Sequence, residues 1–318
     1  YDVDFSDVKG QPVARRALEI AAAGGHSILM MGSPGCGKTM LARRLVTILP
    51  PVTEAEALEI TKIYSIVNML PNAESVMVER PFRSPHHSVS ASALLGGGTY
   101  PRPGEVTLSH NGVLFLDELP EFERAALEML RQPLEDGEVN ISRVRGSMNF
   151  PSKFLLVAAQ NPCPCGYYGD TLKHCVCKQK AIEKKKKRIS GPLLDRIDMQ
   201  INLKRVEFNE LKAKASGECS AEIRKRVVKA RDVQLERFAG SNIYCNAQMT
   251  RREVTQYCQL DEETQAVLGK YFTALNLSAR SHDRILKVAR TIADLAGSSK
   301  ITTTHIAEAI QLRTNING

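Results

Sequence analysis

The sequence predicts an α/β fold, a parallel sheet flanked by helices, followed by a helical C-terminal domain. Short apolar segments typical of buried strands, such as residues 26–32, 154–159 and 199–203, alternate with segments of helical periodicity. The first of these segments runs directly into a glycine-rich loop and a helix, an order that phosphate-binding α/β domains require. From about residue 208 onward the pattern is almost purely helical. We therefore predict two domains, residues 1–205 and residues 206–318.

The composition is that of an ordinary globular protein, and 318 residues are enough for two domains. No apolar run reaches the roughly 18–20 residues that a membrane span needs, so no membrane partner is expected. The polar opening segment is unlike a secretory signal, and the eight cysteines are not patterned as a secreted disulfide scaffold. We expect a cytoplasmic location. The 43 Lys and Arg against 35 Asp and Glu, a net charge of +8, are compatible with a polyanionic partner.

The segment GSPGCGKT, residues 32–39, fits the pattern G-x-x-x-x-G-K-[ST] of a loop that binds nucleoside triphosphates. Gly35 and Gly37 allow positive φ angles that turn backbone N–H groups toward anionic oxygens. Lys38 is expected to contact the β and γ phosphates, and the Thr39 hydroxyl to bind Mg²⁺. The alternative, a glycine-rich turn that matches by chance, is disfavoured by the strand before it and the helix after it. The predicted binding residues of this loop are Gly32, Ser33, Pro34, Gly35, Cys36, Gly37, Lys38, Thr39 and Met40.

A second apolar segment, residues 112–118, ends in the adjacent carboxylates Asp117 and Glu118. At the C-terminal edge of a parallel sheet they would lie beside the phosphate loop, where α/β ligands bind. Asp117 is then placed to hold Mg²⁺ through its water shell, and Glu118 to polarise an attacking water. Asn161 ends the neighbouring predicted strand and could orient the same water; the alternative is a turn-forming Asn before Pro162.

The combination of GSPGCGKT, GVLFLDE, VAAQNP and GPLLDRID resembles an AAA+ ATPase of the magnesium-chelatase-like group. Within that group, PFRSPHH, LLGGG, NPCPCGYYG and LKVARTIADL resemble the ComM/YifB family over nearly the whole chain. The resemblance implies a P-loop fold with a helical lid domain, and a ring motor, hexameric in the full-length protein, that binds ATP between subunits and acts on DNA as a branch-migration helicase does. Such proteins usually carry a further amino-terminal domain similar to the C-terminal domain of the Lon protease, so a fragment is expected here.

The resemblance also implies roles for residues outside the loop. Arg196 matches the family's arginine finger, which reaches the γ-phosphate of the adjoining subunit; a local salt bridge with Asp195 or Asp198 is the alternative. Arg280 matches the sensor arginine of the helical lid, with Arg284 one turn later as the fallback. The segment that resembles the lining of the adenine pocket contains Val8, Gly10 and Gln11.

Five cysteines are candidates for special chemistry. Cys36, inside the phosphate loop, is either a small side chain that fits or a thiol whose pKa is lowered by Lys38 and a helix N-terminus. The other four form a C-x-C…C-x-C set within fifteen residues, which predicts a closed tetrahedral site for structural Zn²⁺. The alternative is four reduced thiols in a loop. The set is Cys163, Cys165, Cys175 and Cys177.

Residues 139–154 alternate as a hairpin. The resemblance points this hairpin into the pore of a ring, where Arg143 and Arg145 would grip a phosphate backbone without reading bases. Lys184 and Lys185, in the strongest basic run, are further candidates for DNA contact, with a solvated helix face as the alternative.

Residues 80–112 are predicted as an inserted loop. His86 and His87 within it could be metal ligands but are interpreted as packing at a subunit boundary.

Two other functions fit the same motifs. One is a chelatase-type motor that remodels a protein partner. The other is a nucleotide-dependent assembly module with little turnover.

Overall fold

The computed structural model of the chain describes residues 2–72, 75–98, 101–143, 146–206 and 217–314. Within these ranges, the strands in chain order are β1 (Ile28–Gly32), β2 (Phe82–Arg83), β3 (Gly96–Gly97), β4 (Arg102–Pro103), β5 (Val113–Leu116), β6 (Glu138–Arg143), β7 (Gly146–Pro151), β8 (Leu155–Gln160) and β9 (Met199–Leu203).

The α-helices of the same ranges, in chain order, are α1 (Pro12–Gly24), α2 (Lys38–Leu45), α3 (Glu54–Ile66), α4 (Ala91–Leu95), α5 (Glu105–Leu108), α6 (Arg124–Met129), α7 (Arg131–Asp136), α8 (Gln179–Lys186), α9 (Gly191–Leu194), α10 (Ser220–Arg237), α11 (Arg251–Tyr257), α12 (Glu262–Ala274), α13 (Ala279–Leu295) and α14 (Thr303–Thr314). Along the described part of the chain, no helix has the length and apolar character that crossing a membrane requires.

The chain forms two compact units, one made of Tyr1–Pro50 with Ile197–Gly318 and the other of Pro51–Arg196. Among the described residues, the first unit holds the parallel pair β1 and β9, and the second holds three parallel strands in the order β2-β5-β8. The predicted α/β class with parallel strands and a helical C-terminal region is confirmed.

In the first unit, α1 packs against α10, α13 and β9, and α14 packs against α13 and β9. The face of α1 that makes these contacts is rich in alanine, and Ala14, Ala17 and Ala21 are fully buried. The helical C-terminal region and the strand before the phosphate loop therefore share one core. This grouping differs from the division at residue 205, which stays a prediction; the periodicity of the C-terminal helices shows which faces are apolar but not what covers them.

In the second unit, the central strand β5 is buried along its whole length and pairs with β8 from Val113 opposite Leu155 to Leu116 opposite Ala158. Strands β6 and β7 form an antiparallel hairpin at the predicted place. On β6, Val139 and Ile141 are buried and Asn140 between them is exposed; on β7, Phe150, which lies opposite Val139, is buried. This alternation is why the hairpin could be read from the sequence.

The stretch 80–112 differs from the predicted loop because it contains β2, α4, β3, β4 and α5. Its apolar residues Leu94, Leu95 and Val106 are buried. Elements of two to five residues are too short to show a period, so hydrophobic patterning cannot detect them.

A buried histidine connects the segments that lead into β5 and β8. His110 Nε2 lies 2.9 Å from a carboxylate oxygen of Glu59, and its Nδ1 accepts a hydrogen bond of 3.0 Å from the backbone N–H of Lys153. Because Nδ1 is an acceptor here, the ring is neutral with its proton on Nε2. Burial lowers the pKa of His110 from its ordinary value of 6.5, although Glu59 acts in the opposite direction.

We expect the free energy of unfolding to fall as the pH drops below about 6.5, because the unfolded chain then binds a proton at His110 that the folded chain resists. This contribution of His110 to the free energy of unfolding is fully present above that pH and is lost as the pH falls toward the pKa of His110 in the folded chain. Its size is about 1.4 kcal/mol for each unit by which folding lowers that pKa. His110→Asn keeps an acceptor for Lys153 but cannot titrate. Denaturant unfolding at about pH 7.5 and about pH 5.5 should show a smaller loss in this variant. An equal loss in both proteins would contradict the assignment.

Candidate functional site

The loop after β1 has the backbone that the motif predicts. Gly35 and Gly37 have φ of 79° and 97°, and α2 begins directly afterwards at Lys38. At the end of β1 the packing is close, since a Cβ added to Gly32 would lie 2.6 Å from the sulphur of Cys36. Larger residues at these three glycines would meet strain or collision. The loop and the N-terminus of α2 thus have the geometry of an anion site.

Lys38 is held by the loop itself. Its Nζ donates hydrogen bonds of 2.7 Å and 3.1 Å to the carbonyl oxygens of Gly32 and Ser33 and lies 3.8 Å from the sulphur of Cys36. Only 9% of the residue is exposed. The positive charge is therefore fixed within the loop rather than extended into solvent.

Cys36 belongs to the same loop, and its side chain is buried. Burial raises the pKa of its thiol, even though the charge of Lys38 acts to lower it. The prediction of a lowered pKa is wrong, because removal from water outweighs the nearby ammonium. The other interpretation, a small side chain that fits the space beside Gly32, describes the residue better.

Gln11 lies against the phosphate loop. It has a left-handed backbone, with φ of 56°, at the residue before α1. Its amide nitrogen donates to the carbonyl of Cys36 at 3.3 Å and to the carbonyl of Lys204, just after β9. Val8 is buried and Gly10 has a φ of 63°. The segment predicted to line an adenine pocket is therefore next to the phosphate loop.

Asp198, directly before β9, is a buried carboxylate of the first unit. It lies 3.1 Å from Nδ1 of His26 and pairs with the guanidinium of Arg284. Burial alone would raise the pKa of Asp198, but Arg284 and His26 hold it well below its usual range. The other ring nitrogen of His26 lies 2.7 Å from the hydroxyl of Thr291 on α13. Sequence reasoning missed this network, whose one signal is an Asp in front of a predicted strand.

The two arginines proposed for the sensor role have different surroundings. Arg280, the second residue of α13, is exposed, whereas Arg284, one turn later, is paired with Asp198. The role of Arg280 stays a prediction.

In the second unit, two predicted site residues lie at the same edge of the sheet. Because β5 and β8 are parallel and Leu116 lies opposite Ala158, Asp117 and Asn161 follow the carboxyl ends of adjacent strands. Glu118 has a left-handed φ of 53°, and its backbone N–H donates to the carboxylate of Asp117 at 2.9 Å. Asp117 and Asn161 thus follow strands that end at the same sheet edge, and their roles in catalysis stay predictions.

His87 lies beside Glu118, which sequence reasoning did not foresee. Its Nδ1 is 3.3 Å from a carboxylate oxygen of Glu118. Its ring lies 4.0 Å from that of His86 and edge-on to Phe122 at 6.5 Å. The only signal was the pair of histidines following β2, the strand beside β5.

Arg196 forms a local ion pair. Only 6% of the residue is exposed, and its Nε donates to the carboxylate of Glu135 at 3.1 Å. A terminal nitrogen donates to the carbonyl of Pro192 at 2.9 Å. A role in a neighbouring subunit stays a prediction, and it requires the guanidinium to leave Glu135.

The four cysteines of the C-x-C pairs are brought together. Their sulphur atoms all lie within 4.8 Å of one another. All eight cysteines of the chain are free thiols. The predicted cluster is therefore present, made of Cys163, Cys165, Cys175 and Cys177.

The two lysines predicted to contact DNA differ in their exposure and contacts. Lys184 is exposed on α8, whereas Nζ of Lys185 lies 3.7 Å from Glu121 and 3.4 Å from the carbonyl of Cys163. Arg143 ends β6, but its side chain and the whole of Arg145 lie outside the described residues.

The sequence matches two family models. The model described as magnesium chelatase, subunit ChlI, covers residues 4–211, and the model of the ChlI C-terminal region covers residues 217–313.

Among curated proteins, the chain is 47% identical over 312 residues to the competence protein ComM of Haemophilus influenzae and 46% identical over 314 residues to the uncharacterised protein YifB of Escherichia coli. These alignments cover 98% of this chain and 60% of each relative, so the chain spans about three fifths of their length. It is also 26% identical over 176 residues, half of each chain, to the magnesium-chelatase 38 kDa subunit of Rhodobacter capsulatus.

Proposed function

Because the chain belongs to the magnesium chelatase ChlI family, we propose that it is an AAA+ ATPase that binds ATP with Mg²⁺ and hydrolyses it. The observation that carries this proposal is the loop from Gly32 to Thr39. Its two left-handed glycines precede the first turn of α2, and the ammonium of Lys38 is held at the loop. Backbone N–H groups, a helix N-terminus and a lysine are the combination that binds a triphosphate.

The catalytic roles follow from the chemistry of the side chains. Thr39 and Asp117 would hold Mg²⁺, the carboxylate through water, since oxygen ligands and retained water suit this ion. Glu118 would polarise the attacking water and Asn161 would orient it. These roles are supported by the parallel pairing of β5 and β8, whose carboxyl ends lie at the same edge of the sheet. The remaining proposed nucleotide contacts are Val8, Gln11 and Arg280.

His87 gives Glu118 a partner in its own chain. An ion pair or hydrogen bond at 3.3 Å would hold the carboxylate in one orientation, so we assign His87 a positioning role in hydrolysis.

The proposed location is the cytoplasm, because ATP is supplied there and because the cysteines of the chain are free thiols.

We expect Glu118→Gln to lower the turnover of ATP by about 100-fold or more, because an amide cannot accept the proton of the attacking water. The affinity for ATP should stay within a few fold, because the phosphate loop is unchanged. Steady-state hydrolysis and the binding of a fluorescent ATP analogue measure the two quantities. The control is Glu123→Gln, an exposed glutamate five residues away. If Glu118→Gln kept the wild-type turnover, or if the wild type bound no ATP, the proposal would be wrong.

Hydrolysis is proposed to require neighbouring copies of the chain, in a hexameric ring of the full-length protein. A planar guanidinium that binds the carboxylate of Glu135 has the shape to bind phosphate oxygens. Assembly would exchange the carboxylate partner of Arg196 for the γ-phosphate of the adjoining subunit. Because the arginine comes from the adjoining subunit, an isolated chain should hydrolyse ATP slowly.

Mixing two inactive variants tests this exchange. Arg196→Ala keeps its own phosphate loop, whereas Lys38→Ala keeps Arg196, so each alone should lose about 1000-fold in turnover. The mixture should regain hydrolysis, because one subunit supplies the loop and the other the arginine. A mixture of Arg196→Ala with the double variant Lys38→Ala/Arg196→Ala is the control and should stay inactive. Full activity of Arg196→Ala alone would exclude a role in the neighbour.

The substrate of the motor is proposed to be DNA. A competence protein is among the relatives with the higher identity, and the hairpin of β6 and β7 presents an exposed polar face. Lys184 adds an exposed positive charge on α8. The relation to magnesium-chelatase subunits supports a second candidate, a motor that remodels a protein, at lower identity over half the chain.

DNA should stimulate ATP hydrolysis if the first candidate is right, and it should have no effect on a chelatase-type motor. We expect charge reversal at Arg143 and Arg145 to weaken DNA binding about tenfold or more, and to reduce its salt dependence. The matched control reverses Arg251 and Arg252, two exposed arginines at the start of α11. Titration of single-stranded DNA at several salt concentrations measures the effect. Unchanged DNA affinity in the Arg143/Arg145 variant would exclude these contacts.

A further inference from the structure

The sulphur atoms of the four-cysteine cluster have the spacing of ligands around one metal ion. The sulphur of Cys163 lies 3.4 Å from that of Cys165 and 3.6 Å from that of Cys175, and those of Cys165 and Cys175 are 3.6 Å apart. A disulfide needs about 2.05 Å. Four thiolates at about 2.3 Å from a tetrahedral Zn²⁺ lie about 3.8 Å from one another. The observed separations are close to this second value.

Backbone N–H groups point at the sulphur atoms. Those of Gly166 and Tyr168 donate to Cys163 at 3.2 Å and 3.3 Å. The N–H of Cys165 donates to the sulphur of Cys177 at 3.3 Å, and the N–H of Cys177 donates to Cys175 at 3.4 Å. Gly166 takes a left-handed φ of 89° in the turn that makes this possible. Hydrogen bonds of this kind stabilise thiolates and orient them toward a metal.

The segment from Cys163 to Cys177, here called the cysteine loop, has little apolar packing of its own. Its large apolar residues face solvent, with Leu172 exposed by 72% and Val176 by 85%. Cys163 itself is fully buried. A fifteen-residue loop that buries one of its four thiols, leaves the other three half-buried and exposes its apolar side chains needs a cross-link to hold one conformation.

We propose that Cys163, Cys165, Cys175 and Cys177 bind one Zn²⁺ in a closed structural site, and that this ion orders the cysteine loop. Four soft thiolates that converge on one point select zinc over the hard divalent cations, and a filled coordination shell leaves no position for a substrate.

The ion would brace the elements at both ends of the loop. The loop begins two residues after Asn161, at the end of β8, and ends two residues before α8. The carbonyl of Cys163 accepts a hydrogen bond of 3.4 Å from Lys185 on α8. Zinc binding therefore connects α8 to the strand end that carries Asn161. An effect on hydrolysis would rest on the proposed function, but the zinc site itself does not.

Metal analysis of the wild-type chain, grown with zinc and purified without chelator, tests the site. We expect about one zinc per chain, as a four-thiolate site implies. Cys163→Ser and Cys175→Ser should each lose most of it, whereas Cys219→Ser, an exposed cysteine outside the cluster, should keep it. Wild-type protein with less than one zinc per several chains, and with no thiolate–Co²⁺ absorption on adding cobalt, would overturn the proposal.

A second measurement uses only the wild type, in case the serine variants fail to fold. Removal of zinc by a strong chelator should raise amide hydrogen exchange in the cysteine loop and in α8 while β5 and β8 stay protected. Adding Zn²⁺ back should restore protection, and adding Mg²⁺ should not. Equal protection of the loop with and without the metal would contradict the bracing role. Neither readout depends on ATP hydrolysis, so a failure here is distinct from a failure of the proposed ATPase.

Discussion

The buried carboxylate of Asp198 is the constraint on which the first unit depends. It is almost wholly removed from water, and leaving such a charge without partners costs about 3–5 kcal/mol. Arg284 and His26 supply those partners, so the start of β9, the residues before β1 and the helix α13 are held in one arrangement. The phosphate loop begins where β1 ends, so the contacts of Asp198 also fix the position of this loop.

Three of the charged groups assigned to the chemistry have a partner in their own unit. Lys38 is bonded to carbonyls of its loop, Glu118 lies beside His87, and Arg196 is paired with Glu135. Such partners keep a charge oriented and partly neutralised until a better ligand replaces them. Binding of a triphosphate between copies of the chain would be an exchange of partners, in which phosphate oxygens replace carbonyls and carboxylates.

The second unit is stabilised differently at its two ends. Around β5 the core is apolar, and a neutral His110 connects the segments that lead into β5 and β8. Beyond the other end of β8 the chain enters the cysteine loop, where apolar packing is sparse and the four-cysteine cluster lies instead. A zinc ion there would do for the cysteine loop what hydrophobic burial does for the strands.

Local sequence by itself determined the features that depend on a few neighbouring residues. The glycine spacing gave the left-handed loop before Lys38, the apolar run at residues 199–203 gave β9, and the combination of motifs gave the family, which the family models confirm. The alternation of the hairpin and the gathering of the cysteines were also visible in the pattern. These features depend on short stretches of sequence, through backbone preference, residue spacing or the period of apolar residues.

Tertiary structure alone decided the partners and the degree of burial. The pKa of Cys36 moves upward because the fold removes the thiol from water, which no neighbour in sequence reveals. Arg196 pairs with Glu135, 61 residues away, and Glu118 lies beside His87 on the segment after β2. These outcomes depend on which distant segments the fold places side by side. A single sequence encodes that choice only through the packing of the whole chain.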